Sequence, residues 1–146
     1  MKIIKKNKQA YFRYFILKNY IAGIKLLGGE VKEIKRGNVN ITESYIKSIG
    51  NELYLWNARI DPSVYATIEA TRSKKLLLNK KEIEEIKRDL EQKGLTAIPT
   101  AVGLEHGLVK IEIGIAKGKK TYDKRDVIKE RESDRYLRRL QTGKEV

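Results

Sequence analysis

The sequence contains no cysteine, which removes disulfide scaffolds, thiolate zinc sites and cysteine nucleophiles together. That fits a reducing compartment, and the cytoplasm is the expected location. Histidine occurs once, at His106, between Glu105 and Gly107 in turn-like sequence. A Ser-His-Asp arrangement or a multi-histidine metal site therefore has poor material, and His106 is expected to face solvent. Long apolar runs are missing too. Met1 to Lys8 is charged like the start of a signal peptide, but Arg13, Lys18 and Lys25 interrupt the apolar stretch after it, so neither export nor membrane spanning is supported. No metal or cofactor is expected.

Positive charge is abundant. The 146 residues carry 32 Lys and Arg against 19 Asp and Glu, a net charge of +13. Residues 1–36 hold ten basic and two acidic side chains, residues 37–116 hold eleven of each, and residues 117–146 hold eleven basic and six acidic. The excess thus lies on two flanks of an electrically ordinary middle. A polyanionic partner explains such flanks, because Lys and Arg that neutralise phosphates release condensed counterions. The alternative is a surface kept soluble by like charge. Carboxylates do not point to catalysis: Glu82, Glu84, Glu85 and Glu91 alternate with Lys and Arg, as on a solvated, ion-paired helix face.

Strand signals dominate. Tyr11–Leu17 is rich in aromatic and β-branched residues, and Val39–Ile49 has apolar residues at 39, 41, 45 and 49. Gly50-Asn51-Glu52 then turns the chain into Leu53–Ile60, a hairpin that Asp61-Pro62-Ser63 ends. A second hairpin is predicted from Leu95–Val102 through residues 105–107 into Leu108–Ile115, with Pro99 at an edge or bulge. Lys80–Lys93 reads as a helix, with Asn79 as N-cap and Gly94 as C-cap, and Ile21–Ile34 as another with Leu27, Val31 and Ile34 on one face. The expected fold is mainly β with about three helices: a small closed antiparallel barrel of oligonucleotide-binding (OB) type over residues 1–116. Residues 117–146 are expected to be a basic tail, mobile alone and helical when docked on RNA.

Gly114-Ile-Ala-Lys-Gly118-Lys119-Lys120-Thr121 invites comparison with a phosphate-binding loop but fails on detail: three residues separate the glycines instead of four, and Lys120 occupies the hydroxyl position. Phosphate contact by Lys117, Lys119 and Lys120 remains. Tyr122, with charge on both sides, is the candidate for stacking on an unpaired base, whereas Tyr11, Phe12, Tyr14, Phe15, Tyr54 and Trp56 read as core or barrel wall.

The run from Gly114 to Arg125, continued by Ile128-Lys-Glu-Arg131, resembles the signature of the bacterial SsrA-binding protein (small protein B) family. Supporting stretches occur in order: Asn7-Lys8, Ala22-Gly23-Ile24, Gly29-Glu-Val-Lys32, Asn38–Ile41 with Ser44-Tyr45, Lys75–Asn79 and Lys93–Thr96. The resemblance implies a non-enzymatic OB-fold protein that binds the tRNA-like domain of transfer-messenger RNA (tmRNA) and brings it, with elongation factor Tu, to stalled ribosomes for trans-translation. It implies a monomer. Family contacts to tmRNA carry over onto Asn7, Glu30, Lys32, Leu77, Asn79 and Lys110, with core residue and helix cap as the other reading of Leu77 and Asn79. The ribosome-probing tail carries over onto Lys117, Gly118, Lys119, Lys120, Tyr122, Asp123, Lys124, Arg125, Lys129 and Arg131, which would reach the decoding centre and the empty mRNA channel. Two departures bear on affinity: Ile21 stands where the family usually carries glutamate, and residues 63–73 are shorter than usual. A generic single-strand RNA binder is the competing class, and an enzyme acting on RNA or nucleotides the third.

Overall fold

The computed structural model describes residues 1–60 and 70–118. The Asp61-Pro62-Ser63 stop expected from the sequence, most of the 63–73 stretch and all of the tail beyond Gly118 lie outside the described residues. The elements are β1 (Lys2–Lys6), α1 (Lys8–Arg13), β2 (Tyr14–Ile24), α2 (Gly28–Lys35), β3 (Val39–Asn40), β4 (Tyr45–Ile49), β5 (Glu52–Trp56), β6 (Arg59–Ile60), β7 (Lys74–Leu77), α3 (Lys80–Leu90), β8 (Leu95–Glu105) and β9 (Leu108–Gly118). Among the described residues the architecture is mainly β with three helices. A seven-stranded antiparallel sheet runs in the order β1-β8-β4-β5-β7-β2-β9, and β9 pairs with β8 as well as β2; β3 and β6 form a separate two-stranded ladder.

The long β8–β9 hairpin is the spine. Val109, Ile111, Ile113 and Ile115 alternate inward, as their period of two predicts. Each such side chain withdrawn from water stabilises the fold by about 1.5–3 kcal/mol. They pack with Ala22 of β2, Leu53 and Leu55 of β5, Leu76 of β7 and Ile86 of α3 in one core. The turn holds His106 (φ 52) and Gly107 (φ 80) between the paired Glu105 and Leu108; positive φ at both central positions is what a type I′ turn demands, and His106 faces solvent as expected. The register slips between Pro99 and Ala101, so Pro99 does sit at a bulge.

Asn79 caps α3 as predicted: its side chain accepts from the Glu82 N–H at 2.8 Å, and Glu82 reaches back to the Asn79 N–H at 3.3 Å. The helix ends at Leu90, short of Lys93. On its inner side Lys18 bonds Asp89 (3.1 Å) and the Tyr20 hydroxyl donates to Glu85 (3.2 Å), tying α3 to β2. Glu82 and Glu85 therefore have specific partners, while Glu84 and Glu91 are exposed.

Three expectations are corrected. Tyr11–Leu17 is not one strand: Asn7 accepts from the Ala10 N–H and starts α1, which runs to Arg13 before β2 begins, so a side-chain cap overrides aromatic strand propensity. Ile21–Ile34 is not one helix: Ala22 and Ile24 alternate inward at the end of β2, and α2 starts only at Gly28, where Glu30 bonds the Leu27 N–H at 2.8 Å. Val31 and Ile34 do pack on one core, whereas Leu27 stands at the N-cap and is exposed. Val39–Ile49 is not one strand either. The Asn40 side chain accepts from the Thr42 N–H (2.8 Å) and the Ser44 hydroxyl donates to the Ile41 carbonyl (2.6 Å), which breaks the strand and reverses its facing. Beyond the break Ile46 points inward, and Tyr45 and Ile49 point out.

Candidate nucleic-acid interface

Three adjacent strands bring Leu77, Gly23 and Lys110 into one row, because Gly23 of β2 stands opposite Leu77 of β7 on one side and Lys110 of β9 on the other. The missing side chain at Gly23 matters here, since a Cβ there would lie 3.3 Å from the Leu77 Cβ. A cleft of about 450 Å³ opens above the row, lined by Ile21, Leu77, Asn79, Lys75 and Lys110 among others. A neighbouring cleft of about 300 Å³ shares Gly23, Leu77 and Lys110 and reaches Val31 and Leu108. Ile21, Leu77 and Leu108 are 42%, 49% and 63% exposed, an apolar strip beside a lysine that forms no salt bridge with any described residue. Lys75 is held by Glu52 at 2.7 Å, a contact that raises its ammonium above the ordinary lysine range.

Of the six residues assigned to tmRNA contact, Leu77, Asn79 and Lys110 therefore share one cleft. Lys32 is exposed on α2, next to Val31 of the second cleft. Leu77 is half-exposed and not a core residue, whereas Asn79 is an exposed helix cap. Asn7 and Glu30 are buried, at 2% and 1% exposure. The Asn7 side chain donates to the carbonyls of Pro99 (2.9 Å) and Ile41 (3.2 Å) while capping α1, so it ties α1 to β8 and to the segment after β3. Glu30 accepts from Arg72 Nη2 (2.6 Å), Arg72 Nε (3.1 Å) and the Leu27 N–H. Burial pushes its carboxyl up, but the Arg72 and Leu27 hydrogen bonds and the Arg72 and Lys74 charges outweigh that and hold it below the usual carboxylate range. Lys74 is itself buried and donates to the carbonyls of Ala58 and Arg72. Sequence reasoning missed Arg72, and no local signal marks it, since 42 residues separate it from Glu30.

Lys117 and Gly118 are exposed at the end of β9. Lys119, Lys120, Tyr122, Asp123, Lys124, Arg125, Lys129 and Arg131 lie outside the described residues. The aromatic residues divide: Tyr11 and Phe12 are exposed on α1, not core, while Tyr14, Phe15, Tyr54 and Trp56 are half-buried on strands. Among the described residues, no cluster of His, Asp and Glu could hold a metal ion, and no helix is long and apolar enough to cross a membrane.

Fold and surface together define the class: a mainly antiparallel β protein with a cleft in which Ile21 and Leu77 lie among Lys75, Lys110, Glu52 and Glu82, and whose sequence carries its excess charge on its flanks. The family model described as SmpB protein matches residues 4–143, and the chain belongs to that family. The SsrA-binding protein of Acholeplasma laidlawii (strain PG-8A) is 45% identical over 147 residues, covering 99% of each chain. That of Thermoanaerobacter pseudethanolicus is 46% identical over 136 residues, covering 91% of this chain and 87% of the other. A solved chain described as "tmRNA-SmpB: a journey to the center of the bacterial ribosome" superposes with a TM-score of 0.70 at 39% identity, over 90% of this chain and 95% of that one. SmpB is a family of RNA-binding proteins, not of enzymes.

Proposed function

We infer that this protein binds the tRNA-like domain of tmRNA and delivers it, together with elongation factor Tu, to stalled ribosomes in the cytoplasm, acting as a monomer. The observation that carries the reading is the similarity to SmpB over nearly the whole chain, including the solved tmRNA-SmpB chain. In this reading Leu77, Asn79, Lys110 and Lys32 meet the RNA: Leu77 packs on a ribose or base, and the lysines hold phosphates. Asn7 and Glu30 act from beneath the surface, fixing α1 and α2. The pairing of β9 with both β2 and β8 supports a barrel closure of OB type, with residues 1–116 as the RNA-binding body. Residues 117–146 form the tail, in which Lys117, Gly118, Lys119, Lys120, Tyr122, Asp123, Lys124, Arg125, Lys129 and Arg131 probe the decoding centre and empty mRNA channel. The test is binding of the purified protein to tmRNA from its own source, against elongator tRNA and an unrelated structured RNA, at physiological salt. A clear preference for tmRNA is expected. Equal binding to all three would replace this reading with a generic RNA-binding one.

A further inference from the structure

The outer face of β4, β5 and β7 carries side chains that the function above leaves unused. Along β4, Tyr45 and Lys47 point away from the core while Ile46 points in. Along β5, Tyr54 and Trp56 alternate with buried Leu53 and Leu55, and along β7, Lys75 alternates with buried Lys74 and Leu76. Strand register sets them in two adjacent rows: Tyr45 opposite Trp56, and Lys47 opposite Tyr54, which stands in turn opposite Lys75. The Lys47 Nζ lies 5.3 Å from the centroid of the Trp56 ring. The Trp56 indole N–H is buried without a hydrogen-bond partner among the described residues.

We propose that this face is a stacking platform for unpaired bases of single-stranded RNA, with Tyr45, Tyr54 and Trp56 supplying ring faces and Lys47 holding the phosphate. The proposal rests on the RNA-binding reading and adds a second contact surface to it. Charge selects the occupant: Glu52 is matched by Lys75, and the Lys47 ammonium forms no salt bridge with a described residue, so the face is net positive. Every base has a π-face, so rings interleaved with lysines bind single strands without needing a sequence. The Lys47–Trp56 contact shows that the ring already accepts a partner on its face. An entering base takes that place and frees Lys47 for the adjoining phosphate. Continuity favours the same occupant, because Lys75 lines the cleft that holds Leu77 and Lys110.

Trp56 is the only tryptophan in the chain, so intrinsic fluorescence reports on this face directly. The full-length protein is titrated with an oligouridylate of about twelve nucleotides, a length within the range one such domain covers. Saturable quenching is expected. Tyr54→Leu should weaken the oligonucleotide about 5- to 150-fold, the span of one lost base stack, and Tyr54→Phe should restore it. Unquenched emission of the wild-type protein overturns the proposal even if Tyr54→Leu fails to fold, and so does unchanged affinity of a folded Tyr54→Leu. The same samples titrated with tmRNA separate the two readings. Preference for tmRNA without oligonucleotide quenching removes the platform and leaves the function standing; quenching without that preference does the reverse.

Discussion

Replacing Arg72 with alanine tests whether Glu30 works from below the surface. The Glu30 carboxylate, 1% exposed, holds three donors: two from the Arg72 guanidinium at 2.6 and 3.1 Å and the Leu27 N–H at 2.8 Å. The substitution leaves one donor on a buried charge, and breaking a buried pair from one side costs about 3–5 kcal/mol. Two features lower that figure. The Arg72 side chain is 35% exposed, so water can enter the space it leaves, and the Lys74 charge still acts on the carboxyl. A loss of about 2–3 kcal/mol is expected, which for a chain of this size lowers Tm by about 6–9 °C at neutral pH.

The pH dependence gives the test its direction. In the wild-type protein the folded Glu30 carboxyl lies below its ordinary value of 4.5, so the pair adds stability above that value and loses it as pH falls through the folded one. In Arg72→Ala burial is left as the dominant effect, the folded carboxyl rises, and its charge costs stability until it protonates. The gap in Tm between the two proteins should therefore be widest near about pH 7 and narrow below about pH 5. Thermal unfolding followed by circular dichroism across that range measures it. A gap of under about 2 °C at neutral pH, or one that stays constant down to about pH 4, refutes the argument. Glu30→Gln, which keeps an acceptor for the Leu27 N–H, should lose less and flatten the profile.

Lys110→Ala should weaken tmRNA and reduce the slope of log affinity against log salt by about one, as expected for one lost phosphate contact; an unchanged slope would take Lys110 off the backbone. Asn79→Ala should cost about 1 kcal/mol as a lost helix cap, whereas Asn79→Ser should keep stability, so a drop in tmRNA affinity in the serine variant isolates an RNA contact from the cap. Cutting the chain after Gly118 should leave tmRNA binding largely intact and end peptide tagging on stalled ribosomes, and equal loss of both would merge body and tail into one function. Tyr122→Ala should harm tagging more than binding in the same reconstituted assay.

Local signals located the elements whose partners are close in sequence. The inward alternation of β9, the Glu105–Leu108 turn and the Asn79–Glu82 cap could all be read directly, because each depends on residues within one strand or one helical turn. The elements that departed are those where a side chain redirects the backbone. Asn7 starts a helix inside an aromatic run, and Asn40 with Ser44 ends β3 and changes which residues face inward. Both devices use ordinary polar residues, which sequence alone cannot tell from solvated ones.

The same limit explains the two surfaces. Lys110, Leu77 and Asn79 could be named individually from the family resemblance, but the cleft exists because Gly23 pairs with two distant strands at once. The outer face is the harder case. Residues 53–56 read Leu, Tyr, Leu, Trp, so both faces of β5 are apolar and alternation cannot say which is the core. The neighbours decide: Leu53 stands opposite Leu76, and Leu55 opposite Ile46, both buried, so the leucines complete the core and the two rings are turned outward. The barrel-wall reading of Tyr54 and Trp56 thus holds as a half-buried aromatic face turned away from the core, and its facing follows from pairing, the property that a single strand's sequence does not contain.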